Sequence, residues 1–428
     1  MQVNIIDGLL APGDAGRAEK VLNACVHCGF CTATCPTYLQ EYNELDSPRG
    51  RIYLMKEMLE TGTAGDITRL HLDRCVTCLS CETTCPSGVE YHKLVAIGRA
   101  TVEQLAPRGA GGKAVRALLR RLMLSPRLFP SLLRLGSFVA PLLPSRLRRV
   151  YFPARAGSGK AARAMRVRIA SGAGTGAVIL LPGCVQPSLR PGIDRAFERI
   201  LSHCGVPLLS PPAAGCCGAV SFHTGAEEEG RDFARRNIDC WWPMVEGAAS
   251  EAGGGIRAIV STASGCGTQL KDYPTLLADD PYYSPRAERL AALLRDPVEL
   301  VNELLGEGSL KADLSRLPGS AVFHCPCTLQ HGQGLAGEVE RIFRDGGIEL
   351  PPVRDAHLCC GSAGTYSILQ PKFARALRRE KLDNLEASEP GQILTANIGC
   401  LLHLQAGTEI PVRHWLEALA DTLEEAPH

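Results

Sequence analysis

Residues 25–36 read CVHCGFCTATCP and residues 75–86 read CVTCLSCETTCP, two runs with one spacing, C-x2-C-x2-C-x3-C-P. Four thiolates aimed at one small volume suit a [4Fe–4S] cube. The x2 spacing lets a tight loop wrap three corners while a fourth ligand arrives from elsewhere, and in this run the fourth cysteine serves the other cluster. Cys25, Cys28, Cys31 and Cys85 are therefore expected to hold one cube, and Cys75, Cys78, Cys81 and Cys35 the other. Pro36 and Pro86 turn the backbone away after each fourth ligand. Zinc is the competing reading, because CxxC pairs also build tetrahedral zinc sites. Three cysteines at this pitch followed by Cys-Pro are not its habit. His27, inside the first run, reads as a solvent-facing loop residue, since the cysteines already fill both cubes.

A second pattern occurs twice further on. Cys216-Cys217-Gly218 lies 32 positions after Cys184, and Cys359-Cys360-Gly361 lies 32 positions after Cys327. Each copy closes on one more cysteine, Cys266 and Cys400. Adjacent cysteines cannot easily bridge each other, but with a distant pair they present several thiolates to one metal or redox centre. The bland alternative is buried thiols acting as small hydrophobes. The glycine after each pair suits a positive backbone angle or a close backbone approach. Cys204, Cys240 and Cys325 fall outside the repeat and read as structural. His223, His324, His331, His357 and His403 sit near the cysteine loops, where they tune potentials, accept protons or simply hydrogen-bond to loop carbonyls.

The elements that must position these groups follow from periodicity. Between the two opening runs, Ser47-Pro48 makes a good N-cap and first helical position for a helix through RGRIYLMKEMLE. The later half repeats itself: AVILL (177–181), a helix-like PGIDRAFERILSHCG and the first CCG, then AVFH (321–324), a helix-like EVERIFRDGG and the second. Each copy then closes with a short apolar strand ending in cysteine, AIVSTASGCG and ILTANIGC. Strands alternating with helices indicate parallel α/β units, with cysteines where strands give way to loops, the usual place for sites in such folds. The expected architecture is multidomain α+β. An α-helical two-cluster domain over 1–105 and a basic Arg/Leu/Pro-rich linker over 106–176 precede two similar α/β domains over 177–318 and 319–428.

Composition narrows the function classes. A net charge of +1 with 45% hydrophobic residues argues against a nucleic-acid binder and against a disordered chain. The odd total of nineteen cysteines fits a disulfide framework poorly. The opening MQVNIIDGLLAPGDAG lacks the basic start and apolar run of an export signal, so a cytoplasmic, reducing setting is expected, where clustered cysteines hold metal. No acidic residue occurs between Glu103 and Asp194. The leucines and arginines there suit either an anionic membrane surface, peripheral at the inner face of the cell membrane, or a linker packed on neighbouring domains or a partner subunit. Gly159-Lys160 mimics the end of a phosphate-binding loop, but Ala154 and Ala161 stand where glycine and Ser or Thr are required. GAGTGAV fails the dinucleotide spacing. A flavin or nicotinamide site is therefore expected on another subunit.

CxnCCGxmC repeats resemble the cysteine-rich CCG domain of heterodisulfide reductase-type proteins. Joined to a two-cluster ferredoxin module, they resemble iron–sulfur subunits of respiratory 2-hydroxy-acid and glycerol-3-phosphate dehydrogenases. ACVHCGFCTATCPTY, DSPRGRIYLMKE, HLDRCVTCLSCETTCPSGVEYH, GCCGAVSFH, NIDCWWP, TASGCG, FHCPCTLQHGQG, HLCCGSAGTYS, TANIGCLLHLQ and VRHW together resemble the iron–sulfur subunits of glycolate oxidase (glycolate dehydrogenase). The resemblance implies an electron conduit between a flavoprotein that oxidises glycolate to glyoxylate and a quinone or other acceptor. Its alternatives are a lactate or glycerol-3-phosphate dehydrogenase subunit, or a heterodisulfide reductase-like subunit with catalytic CCG sites. Fuller CCG repeats end in CxxC, whereas here Ala263 and Asn397 stand three before Cys266 and Cys400. Each site thus offers four matching cysteines, Cys184, Cys216, Cys217, Cys266 and Cys327, Cys359, Cys360, Cys400, as candidates for a further cluster or a redox centre.

Overall fold

The computed structural model describes residues 3–142, 148, 150, 151, 176–248 and 255–423. Ala154, the Gly159-Lys160 stretch, Ala161, the start of GAGTGAV and most of the basic segment after 142 lie outside the described residues.

The amino-terminal module is helical and has two similar halves. Helix Pro12–Ala24 leads into the first cysteine run and helix Asp66–Arg74 into the second. Each ends one residue before its first cysteine, and the Cys25 and Cys75 amides close onto the Leu22 and Leu72 carbonyls at 3.3 Å. Helix Pro48–Thr61 starts as its sequence expects, with Pro48 in the first turn and the Ser47 hydroxyl accepting from the Gly50 amide at 2.9 Å. It packs with helix Tyr91–Leu105 around Leu22, Met55, Leu59, Leu72 and Leu94. Burying those side chains fixes the two cysteine loops side by side.

The later half forms two parallel sheets. The first has the order β2-β1-β3-β4, with β1 Ala177–Leu180, β2 Leu208–Leu209, β3 Ile256–Val260 and β4 Leu294–Arg295. The second has the order β5-β6-β7, with β5 Ala321–His324, β6 Gln392–Thr395 and β7 Val412–His414. Strands covered on both faces read as unbroken apolar runs, as AVIL and QILT nearly do. Alternation still sorts the side chains. Val178 and Leu180 enter a core shared with Val322, Phe323, Ile393 and Leu394 of the second sheet, whereas Ile179 and Leu181 face a separate core around Trp241. The two repeats are thus packed into one body.

Two details differ from the sequence expectation. Cys266 and Cys400 do not end strands: β3 and β6 stop at Val260 and Thr395, and the cysteines are the third residues of helices Ser264–Lys271 and Ile398–Gln405. The reason is the turn that follows a parallel strand, which here passes directly into a helix whose first amides are unpaired. The first part of the basic segment is also folded, into helices Ala110–Leu124 and Leu128–Val139 separated at Ser125-Pro126. Among the described residues no helix is long and apolar enough to cross a membrane.

A Cβ on Gly50 would collide with the backbone of Glu44 and Leu45, so only glycine lets helix Pro48–Thr61 lie against the preceding turn. Gly50→Ala is expected to destabilise the module by about 1–3 kcal/mol. Denaturant unfolding measures this, and an unmoved midpoint would mean the close approach carries no weight.

Candidate metal centres

The first thiol set opens to the surface. Cys25, Cys28, Cys31 and Cys85 line one cavity, with Cys81 and Tyr91 at its inner side. Cys25 is buried, Cys31 and Cys85 are half-buried, and Cys28 is exposed between Val26 and Phe30, themselves 68% and 61% exposed. Burial pushes the Cys31 thiol up to about 11, with Cys25, Cys35 and Cys28 adding to the effect. Burial also raises Cys25, and Cys85 and Cys28 are among its charged neighbours. His27 differs from its expected exposure. Its backbone is left-handed (φ 56°), its ring lines the cavity, and Nε2 is buried without a hydrogen-bond partner. The tight x2 loop leaves the outward position to Val26 and turns the histidine inward.

The second set lies deeper. Cys35, Cys75 and Cys78 are buried, Cys81 is half-buried, and the nearest charges acting on Cys81 are those of Cys78, Cys75 and Cys35. Burial holds the Cys81 thiol well above its ordinary value, and the same is true of Cys78. Cys75 moves the other way: burial opposes its ionisation, but the Arg51 and Arg99 guanidiniums outweigh it. Arg51 is fully buried and donates from Nη2 to Thr37 Oγ1 at 2.9 Å and from Nε to the His71 carbonyl at 2.7 Å. Its Nη1 approaches Cys35 Sγ at 3.8 Å. Asp46, with no exposed surface, faces Arg51 and His71 through Oδ1 at 3.4 and 2.8 Å, and Arg74 through Oδ2 at 2.9 Å. Tyr91 donates to Cys75 Sγ at 3.8 Å and the Thr77 amide does so at 3.4 Å. Crowded thiols in a dry volume resist ionisation until a cation joins them, and backbone, hydroxyl and guanidinium donors already aim at sulfur. That donor set fits iron–sulfur clusters.

The CCG sites form two chains of touching thiols. In the first repeat Cys184 meets Cys216, Cys216 meets Cys217, and Cys217 meets Cys266. In the second, Cys327 donates to Cys359 at 3.7 Å, Cys359 meets Cys360, and Cys360 meets Cys400. The amide of Gly218 donates to Cys216 Sγ at 3.3 Å, and that of Gly361 to Cys359 Sγ at 3.4 Å. Both glycines have positive φ (91° and 84°), and a Cβ on either would strike the carbonyl of Gly230 in helix Glu227–Ala248 or of Ala374 in helix Pro371–Glu386. Both reasons expected for a glycine there hold at once.

The repeats differ in what surrounds the thiols. His324 and Cys400 lie together in the second: one ring nitrogen of His324 and the sulfurs of Cys360 and Cys400 are all within 4.8 Å of one another. Contacts from Cys360 and then His324 lower the Cys400 thiol to about 6. Asn397, standing where fuller repeats have cysteine, donates from Nδ2 to Cys400 Sγ at 3.6 Å. The second site also touches the amino-terminal module, because Cys78 packs with Val76, Cys359, Tyr366 and Phe373 in one apolar cluster that Cys327 borders. Tyr366 Oη donates to the Arg74 carbonyl at 3.0 Å and helps hold that contact.

Of the other singled-out residues, His331 donates from Nε2 to the His357 carbonyl at 2.9 Å, and His403 to the Ala374 carbonyl at 3.1 Å. His223 is exposed at the end of helix Ala219–His223. Cys204 ends helix Pro191–His203, Cys240 lies within helix Glu227–Ala248, and Cys325 is buried just after β5, beside Cys400 but outside the thiol chain. Sequence reasoning missed Arg51, Asp46 and Asn397. A signal existed for Arg51, a cation on the apolar side of an otherwise amphipathic helix.

Fold and sites define an iron–sulfur electron-transfer chain: a 4Fe-4S dicluster domain matches residues 21–89, and the cysteine-rich CCG domain matches 178–271 and again 321–405. The glycolate oxidase iron-sulfur subunit of Escherichia coli is 44% identical over 99% of this chain and 100% of its own length. A probable glycolate oxidase iron-sulfur subunit of Bacillus subtilis is 30% identical over 91% of this chain and 90% of its own. Lactate utilization protein A of Exiguobacterium is 27% identical over 58% of this chain and 99% of its own. The chain belongs to the family of glycolate oxidase iron–sulfur subunits.

Asp46→Ala would leave Arg51 charged, dry and without its carboxylate. It is expected to cost about 3–5 kcal/mol, seen as a large fall in the denaturation midpoint. A change of about 0.5 kcal/mol or less, typical of surface positions, would show that the network is not structural.

Proposed function

We propose that this chain is the electron-transfer subunit of a flavin-dependent glycolate dehydrogenase, acting on the cytoplasmic side of the cell membrane. A flavoprotein partner oxidises glycolate to glyoxylate, and this chain passes the electrons towards a quinone. The observation that carries the reading is the meeting of two four-thiol sets in one small module, with Cys31, Cys35 and Cys81 at their boundary. We assign one [4Fe–4S] cluster to Cys25, Cys28, Cys31 and Cys85, and one to Cys75, Cys78, Cys81 and Cys35. When bound, such clusters carry single electrons at potentials set by burial and by hydrogen bonds to sulfur. The residues of this chain supply those controls. The first set, with Cys28 at the surface, faces the partner; in the second, Cys35, Cys75 and Cys78 are buried among Arg51, Tyr91 and the second repeat.

Leu118, Leu132, Leu135 and Phe138 are exposed on the helices of the basic segment. We assign that side to the partner subunits. Peripheral contact with an anionic membrane is the second reading, and the accompanying exposed Arg121, Arg127 and Arg134 favour it.

Anaerobically purified complex is expected to hold about eight irons in this chain, falling to about four in Cys28→Ser and in Cys78→Ser, with glycolate-driven reduction lost in both. Full iron in either variant would overturn the assignment, and reduction by lactate or glycerol-3-phosphate in place of glycolate would overturn the substrate.

Arg99 donates to the Cys75 carbonyl at 2.6 Å and brings positive charge to Cys75 of the second set. Arg99→Gln is therefore expected to lower the midpoint potential of that cluster by on the order of tens of millivolts, one partly screened charge, while the first cluster hardly moves. EPR-monitored titration reads both, and equal shifts would contradict the two-set assignment.

A further inference from the structure

We propose that the cleft where the amino-terminal module meets both repeats binds one small monovalent anion, a halide or the head of a carboxylate, and that an electron arriving on the second cysteine set releases it to solvent. The release rests on the cluster assignment above, whereas the binding does not. Cys75, Arg99 and Arg116 line the cleft on one side, with His223 of the first repeat and Thr365 and Gln370 of the second on the other. Its volume is about 30 Å³. A water needs about 10–15 Å³, so there is room for roughly two, and one halide or one carboxylate head fills the same space. A nucleotide or an aromatic ring does not fit. Arg116 arrives on helix Ala110–Leu124, so the basic segment closes one wall, while the exposed His223 leaves a way in from solvent.

The cleft offers positive charge that the protein itself does not neutralise. Arg99 donates to the Thr77 hydroxyl at 2.9 Å and to the Leu72 and Cys75 carbonyls at 3.0 and 2.6 Å, all of them neutral acceptors. Arg116 is only 9% exposed, and among the described residues its one acceptor is Asp73 Oδ1 at 3.1 Å. That carboxylate is already taken, because Arg108 donates to both of its oxygens and to Glu103 as well. Three guanidiniums, those of Arg99, Arg108 and Arg116, thus share two carboxylates, Asp73 and Glu103. One positive charge is left over where screening is weak. Burial, with Arg108 and Arg99 beside it, lowers the Arg116 pKa from its ordinary value although Asp73 and Glu103 pull the other way. A planar fork with spare N–H donors and too little negative charge around it suits a small anion.

The link to electron transfer follows from position. Cys75 lines the cleft, and its carbonyl accepts from Arg99. Negative charge added behind Cys75 draws on that same guanidinium, so an electron there loosens the anion, and by reciprocity the bound anion makes the electron harder to add. No cysteine of the first set lines the cleft, so its potential is left alone.

The test uses the purified complex and two readouts. Chlorine magnetic resonance line broadening reads binding directly: wild type is expected to hold chloride, Arg116→Gln to lose it and Arg116→Lys to regain part of it. Arg120→Gln, whose guanidinium already faces Glu229 at 2.9 Å, should keep it. Competition by acetate identifies a carboxylate head as an occupant, and its failure confines the site to halides. In EPR-monitored titrations at constant ionic strength, with chloride exchanged for a bulky sulfonate, the second cluster should fall by up to about 59 mV per tenfold rise in chloride, the one-electron equivalent of a tenfold change in affinity. The first cluster should not move, and Arg116→Gln should abolish the dependence. Broadening that is absent in wild type or unchanged in Arg116→Gln would overturn the site. Chloride bound through Arg116 with no shift, or with equal shifts of both clusters, would overturn the release alone. Wild-type binding and potentials decide even if a variant fails to fold, and iron counting tests the cluster assignment separately.

Discussion

A guanidinium cut off from water governs the amino-terminal module. Arg51 has a carboxylate to face in Asp46, but that same carboxylate also serves His71 and Arg74, so its negative charge is shared. Positive character is left over in a dry interior, where charge is screened weakly. It falls on Cys35 and Cys75, one from each cysteine run. Burial alone would keep Cys75 protonated, as it does Cys78 and Cys81. The helix that carries Arg51 depends in turn on Gly50 and Ser47 to lie against the turn holding Asp46. Helix start, buried ion pair and thiol set are therefore one unit, and none of them has the same energetics without the others.

The duplicated half shows how one fold carries two different sites. Both repeats share the parallel strands, the glycine pressed against a later helix and the cysteine in a helical first turn. These are requirements of the backbone, so both copies keep them. The surrounding side chains are not bound by the fold. Leu181 packs into the core around Trp241, whereas His324 faces thiols. A single apolar-to-imidazole difference at the end of a strand changes the available chemistry without altering the sheet.

Much of the fold was legible because it rests on local patterns. Ser47-Pro48 announced a helix start, AVILL and AVFH announced buried strands, and the 32-residue spacing from Cys184 to Cys216 and from Cys327 to Cys359 announced the duplication. The candidate site was legible where ligands are close in sequence, as in the two opening runs. It was not legible where partners are distant. Nothing in the residues near Cys78 shows that it packs on Cys359, nearly three hundred positions away. Nor does FHCPC reveal that its histidine meets Cys400. The misplaced strand ends have a similar origin, because apolar residues run on from β3 and β6 towards cysteines that belong to the next helices.

Exposure grades along the sites, and that grading suits a conduit. The first set has one cysteine in solvent and apolar side chains around it; the second has three of its four cysteines buried; in the site of the second repeat Cys359, Cys360 and Cys400 are buried and Cys327 is half-buried. A surface terminal permits a partner to approach within transfer distance, while the more buried set keeps water from competing for its sulfurs and fixes its surroundings. Fixed surroundings matter because a group that reorganises little can change charge with a small barrier. The contact of Cys78 with the CCG turn extends that rigidity across the domain boundary. The second repeat thus holds still the surroundings of Cys78.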